Sequence, residues 1–212
     1  MCFSAAASFA TAGINAVIGC AIICKSPARR EAPLAAFPVL FALQQFFEGL
    51  LWVKLPGSAP QAPEIVTLAM LFIVFAEVVW PLLTPIAVLM VEPERKRQQI
   101  LYGLTLLGLL VSGYLLFAIL RSPVNAEIHN KSIRYFNDFP YLLQYRLVYV
   151  IAICGPLILS SQYTIQIFGI LVFLGYVLSL YIYIGVLISV WCFFAAATSS
   201  VLYFHFARPR PV

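Results

Sequence analysis

The chain has 212 residues, of which 63% are hydrophobic and only 10% charged, and its formal net charge is +5. A soluble domain carries roughly a quarter charged residues because its surface has to be wetted, so a mean hydropathy of +0.97 excludes an ordinary soluble globule. The positive charge does not point to nucleic acid, because the basic residues sit at the ends of apolar runs, where they orient a chain in a bilayer.

Those runs are about 20 residues long, the length an α-helix needs to cross about 30 Å of hydrocarbon. In chain order they predict spans at 5–24, 33–53, 64–91, 99–120, 145–161, 164–183 and 186–206. No basic region or small-residue cleavage site marks the first as a signal peptide, so it is expected to be retained. The third is long and is expected to tilt or protrude. From Gln162 to Phe206 no charge interrupts the chain, yet one helix of that length would run to roughly 65 Å. Two spans turning near Tyr181–Gly185 are expected instead. Continuous rather than alternating apolar runs exclude membrane strands. The expected fold is all-α, a single integral membrane bundle over residues 1–212 with about seven transmembrane helices.

Basic residues set the orientation. Lys25, Arg29 and Arg30 follow the first span, Arg95, Lys96 and Arg97 the third, and Arg208 and Arg210 the seventh. These short, densely basic segments are expected on the cytoplasmic side, with the N-terminus outside and the C-terminus cytoplasmic. Lys54, Arg121, Lys131, Arg134 and Arg146 fall on the other face, mostly around a polar external cap at about 122–144 that holds Asn125, Glu127, His129, Asn130 and Asp138.

Ionisable residues inside hydrocarbon cost about 2.5–3.5 kcal/mol on insertion scales, which makes each a functional candidate. Glu48 lies in the second span, on a helical stripe with Gln44, Gln45 and Trp52. That stripe is either a hydrogen-bonding clamp between helices or a grip on a ligand. Glu77 lies near the middle of the third span, four residues before Pro81. Proline cannot donate the helical hydrogen bond, so the Glu77 carbonyl is expected to be freed. Ser4, Ser8, Thr11 and Asn15 form a polar stripe on the first span, and Ser189, Cys192, Ala196 and Ser199 a small-residue stripe on the last. Such stripes mark close helix packing or a wet cavity. In the expected topology Cys2, Ser4, Glu48, Trp52, Trp191 and Cys192 share the outer third of the bilayer, which places them around one outward-facing pocket.

Five cysteines, an odd number, argue against a disulfide framework; Cys20, Cys24 and Cys154 are expected to pack as small hydrophobes. A Cys2 exposed by loss of Met1 would offer an amine and a thiol to a soft metal or an electrophile. Two histidines, His129 and His205, on opposite faces cannot build a three-histidine zinc site. The seventh span has no lysine for a retinal Schiff base, and no glycine-rich phosphate loop is present. The sequence specifies neither a cofactor nor a metal.

Five segments together carry a resemblance: Met-Cys-Phe-Ser-Ala at the start, Gln-Gln-x-x-Glu-Gly-Leu-Leu-Trp at 44–52, Phe-Ala-Glu-Val-Val-Trp-Pro at 75–81, Gly-Pro-Leu-Ile-Leu-Ser-Ser at 155–161 and Ser-Val-Trp-Cys-Phe-Phe-Ala-Ala at 189–196. In these the chain resembles an uncharacterised family of small bacterial multispan membrane proteins. The resemblance implies a membrane fold and a bacterial inner-membrane setting, and supplies no activity.

The functional expectation is a multi-pass protein whose outward-facing polar pocket binds or transports a small ligand or ion through Cys2, Ser4, Gln44, Gln45, Glu48, Trp52, Glu77, Trp191 and Cys192. A membrane enzyme using the Cys2 or Cys192 thiol with Glu48 is one rival. A structural subunit or assembly factor, its stripes serving partner membrane helices, is the other.

Overall fold

The computed structural model describes residues 4–25, 27–129, 131–141, 144–182 and 184–207. Six helical segments in it are long and apolar enough to cross a membrane, and a seventh is shorter. The first is α1 (Ala5–Ile23), started by Ser4, whose hydroxyl accepts the Ala7 N–H at 3.2 Å. The second joins the short α2 (Ala32–Ala35) to α3 (Phe37–Lys54), with prolines confined to first turns where no N–H is needed. The third comprises α4 (Pro63–Ile73), a widened turn at Val74–Val79 and α5 (Trp80–Val91). The fourth is α6 (Arg95–Arg121). A hairpin follows, β1 (Asn125–His129) against β2 (Ser132–Phe136), antiparallel with Asn125 opposite Phe136. Then come α7 (Tyr145–Leu159), α8 (Tyr163–Ile182) and the pair α9 (Leu187–Thr198) and α10 (Leu202–Ala207). The turn expected near 181–185 therefore lies between α8 and α9. At 15 residues, roughly 22 Å, α7 falls short of a full crossing.

Small residues set the closest helix contacts. α1 lies antiparallel to α3, with Gly19 against Val39 at one end and Gly49 against the Phe9 ring at the other. A β-carbon at Gly19 would collide with Val39, so glycine is what permits this approach. The polar stripe of α1 faces inward: Asn15 donates to the Thr11 and Ala196 carbonyls and accepts the Ser199 hydroxyl. Those partners clamp α1 to the end of α9, which is the packing role for the stripe. Cys154 packs in the core, whereas Cys20 and Cys24 lie exposed along α1 and its end.

The main core centres on Trp80, stacked on Phe41 with ring centroids 3.9 Å apart and edge-on to Phe37. A second core forms where Val124, Ala126 and Ile133 of the hairpin region meet Leu51, Ile65, Phe72 and Ile119. The hairpin thus covers one end of the bundle, the cap end. At the opposite end Glu92 joins two loops. One of its oxygens accepts the Ser161 N–H at 2.8 Å and the Ser160 hydroxyl at 3.3 Å, while Arg97 reaches the Leu159 carbonyl at 2.6 Å. The outer faces of α6 and α8 remain apolar, with Leu106, Leu110, Leu120 and Leu174 more than half exposed. A soluble monomer rarely shows so continuous an apolar surface, and hydrocarbon is the solvent that suits it.

Candidate functional site

The site begins with the break in the third segment. Over Val74–Val79 the helix widens to a π turn, in which the Trp80 N–H reaches back five residues to the Phe75 carbonyl. The next donor in that register would come from residue 81, which is proline and has none. The carbonyl left without it is that of Ala76, and the Tyr149 hydroxyl of α7 donates to it. Two residues on, the Val78 carbonyl accepts the Ser112 hydroxyl of α6 at 2.8 Å. Pro85 likewise leaves the Pro81 carbonyl free, and Gly108 of α6 packs directly on it. The Ala76 and Val78 carbonyls are thus served by neighbouring helices, as an apolar surround requires. π turns of this kind are frequent at functional sites.

This turn presents Glu77 to two adjoining cavities of about 100 and 170 Å³ beneath the hairpin. Both are lined by Glu77, Tyr135, Tyr145, Arg146 and Ile188. Tyr149, Tyr176, Trp191 and Cys192 also border the smaller one, and Asn137 and Tyr141 the larger. Glu77 is 6% exposed, and its Oε2 finds no hydrogen-bond partner among the described residues. The Arg146 guanidinium is near enough to act on it through charge, yet no ion pair within 4 Å joins them among the described residues. Burial followed by the nearby Glu77 charge pushes the Tyr141 hydroxyl up to about 12, so this ring stays a neutral donor at the mouth.

Glu48 occupies a drier place behind the cavity wall. Its Oε1 accepts the Ser189 hydroxyl at 2.5 Å and its Oε2 the Gln45 amide at 3.2 Å. Gln44 accepts the Trp80 indole N–H at 2.8 Å, while its own amide nitrogen goes without a well-formed bond. The Tyr135 hydroxyl, held over the cluster by stacking on Phe72 at 4.7 Å, feels the Glu48 and Cys192 side chains electrostatically. It forms no hydrogen bond among the described residues and so lies beside the network.

The structure therefore brings together Glu77, Trp191 and Cys192 at the cavity, with Gln44, Gln45 and Glu48 one layer behind. Trp191 is fixed there by donating its indole N–H to the Val172 carbonyl at 2.9 Å. Trp52 packs half-buried against the hairpin core and lines neither cavity. Ser4 is exposed and serves as the cap of α1. Cys2, and with it the thiol–amine idea, lies outside the described residues, as do Arg208 and Arg210. Glu77, rather than Glu48, lines both cavities. Among the described residues no three His, Cys, Asp or Glu side chains come together as a ligand set for a metal.

Arg146 and the tyrosines were not among the sequence-derived site residues. Arg146 counted there only as an orienting charge. The available signal was Tyr145 and Tyr149 at four-residue spacing, one face of the helix that opens after the cap.

A family model, described as a family of unknown function (DUF6629), matches residues 1–212. The chain belongs to this family. No curated protein and no solved structure matches it.

Proposed function

We propose that this DUF6629 protein spans the bacterial inner membrane seven times, N-terminus outside and C-terminus in the cytoplasm, and binds or moves a small ligand or ion from an outward-facing pocket. The observation that carries the reading is the unpartnered, buried Glu77 oxygen on the wall of the cavities under the hairpin. An unpaired buried polar group costs about 1–3 kcal/mol, a cost a bound ligand would remove. Together the cavities stay below the roughly 300 Å³ at which drug-sized sites begin, which favours a ligand of few atoms. Inward of them Tyr149, Trp191, Trp80 and Phe41 pack as an aromatic layer around a small apolar void. For a transporter this arrangement is the outward-facing state with its inner route closed. Cys192 borders the same space, but both Glu48 oxygens are engaged by Ser189 and Gln45. Binding is therefore favoured over thiol chemistry.

The test uses Ile188→Cys, which places a thiol on both cavities, in a chain whose Cys2, Cys20 and Cys24 are replaced by Ser. A membrane-impermeant thiol reagent added to intact cells is expected to label it. Labelling only after the cytoplasmic face is opened, or no labelling from either face, would overturn the outward-facing pocket.

A further inference from the structure

Two opposite charges border both cavities and do not meet. Glu77, only 6% exposed, lines both spaces, and its Oε2 has no hydrogen-bond partner among the described residues. The guanidinium of Arg146 lines the same two cavities, bonded through Nε to the Tyr145 hydroxyl at 3.3 Å. Left to themselves, a carboxylate and a guanidinium this close gain by collapsing into a bidentate pair. The two side chains come from separate elements, Glu77 from the π turn and the exposed Arg146 from the start of α7, and no ion pair joins them among the described residues. The walls between them are the rings of Tyr135, Tyr145, Tyr149, Tyr176 and Trp191. Aromatic faces within about 6 Å of a cation attract it through their quadrupole, and a guanidinium fork matches a carboxylate in two parallel hydrogen bonds.

We propose that the cavity binds a small zwitterion, an α-amino acid with a short side chain, placing its ammonium on Glu77 among the aromatic rings and its carboxylate on Arg146. The two protein charges are kept apart because the ligand supplies the missing partner of each. This rests on the pocket reading above and deepens it by naming the ligand class. A lone organic cation would leave Arg146 unused, and a lone carboxylate would leave the Glu77 oxygen unpaired.

The experiment measures binding to the full-length protein in lipid nanodiscs, followed by the fluorescence of Trp191 and by calorimetry. The probes are L-alanine, ethylamine, which lacks the carboxylate, and propionate, which lacks the ammonium. L-alanine is expected to bind at least about tenfold more tightly than either half, the equivalent of one charge-assisted contact. Arg146→Gln should bring alanine down to the level of ethylamine and leave ethylamine unchanged. Glu77→Gln should bring it down to the level of propionate. Arg146→Lys, which keeps the charge but not the fork, should retain part of the alanine affinity and guards against a misfolded Gln variant. Ethylamine matching alanine, indifferent to Arg146→Gln, would overturn the proposal in favour of a cation site. Propionate matching alanine would overturn it in favour of an anion site. If no probe binds while Ile188→Cys still labels from outside, the ligand class is wrong and the pocket stands. If labelling fails too, the pocket reading falls with it.

Discussion

Glu48 gives one carboxyl oxygen to the Ser189 hydroxyl and the other to the Gln45 amide, while the Glu77 Oε2 has no partner. Substitution should separate the two. Glu48→Leu strands two buried donors, and a stranded donor costs about 1–3 kcal/mol. For a chain of this size each kcal/mol lowers the apparent melting temperature in detergent by roughly 2–4 °C. Glu77→Leu removes an unpaired group and strands no bonded partner, so it should leave that temperature unchanged or raise it while abolishing ligand binding. A larger loss of stability from Glu77→Leu than from Glu48→Leu would mean that Glu77 holds the bundle together. Both glutamates were legible in the sequence, because carboxyls are rare in apolar runs. Their different roles were not, since Ser189 and Arg146 come from distant segments that no helical spacing relates to them.

At the scale of elements, the widened turn of the third segment depends on groups supplied by its neighbours. Tyr149→Phe removes the donor to the Ala76 carbonyl and should destabilise by about 1–3 kcal/mol. Gly108→Ala drives a methyl into the Pro81 carbonyl, an overpacking cost of about 1–3 kcal/mol. Gly113→Ala on the same helix meets open space and serves as the control in both melting series. Pro81 announced a freed carbonyl in the sequence, but the π register that shifts it to Ala76 depends on where α6 and α7 pack. The Glu92 staple at the opposite end was not foreseen, because a glutamate just after a span is ordinary interfacial sequence. Burial alone would raise the Glu92 carboxyl, yet hydrogen bonds from Ser161, the Glu94 N–H and Ser160 outweigh it and hold it below its ordinary 4.5. A carboxyl lowered by folding stabilises fully above its unfolded value and loses that contribution as pH falls through the folded one. Melting at pH 7 and again below pH 4.5 should therefore show an acid-induced loss that is smaller in Glu92→Gln, which starts less stable at pH 7. Equal acid sensitivity in both proteins would assign the loss to other carboxylates.

At the scale of the whole molecule, the path of the chain bears on how many times it crosses. Antiparallel packing of α1 on α3 puts Ser4 level with the end of α3, and the turn after α3 contacts the hairpin. The N-terminal end of the described chain is therefore at the cap end. Lys25, at the end of α1, lies 5.2 Å over the Tyr203 ring of α10, so the last described helix ends away from the cap. α7 decides between six and seven crossings, because it is the shortest of the apolar segments that could cross. It starts beside Glu77 and the hairpin, and it ends where Arg97, at the beginning of α6, grips the Leu159 carbonyl. α6 and α7 therefore pack side by side between the hairpin end and the staple end. Lys25, Arg29, Arg30 and Arg95–Arg97 gather at the staple end. An N-terminal epitope tag and a tag inserted beside Lys131 should both react with antibody on spheroplasts. A C-terminal fluorescent protein should mature and resist external protease. If the two termini report the same side while the hairpin tag stays outside, α7 does not cross, and the seven-span topology is replaced by six crossings with a helix that enters and leaves by one face.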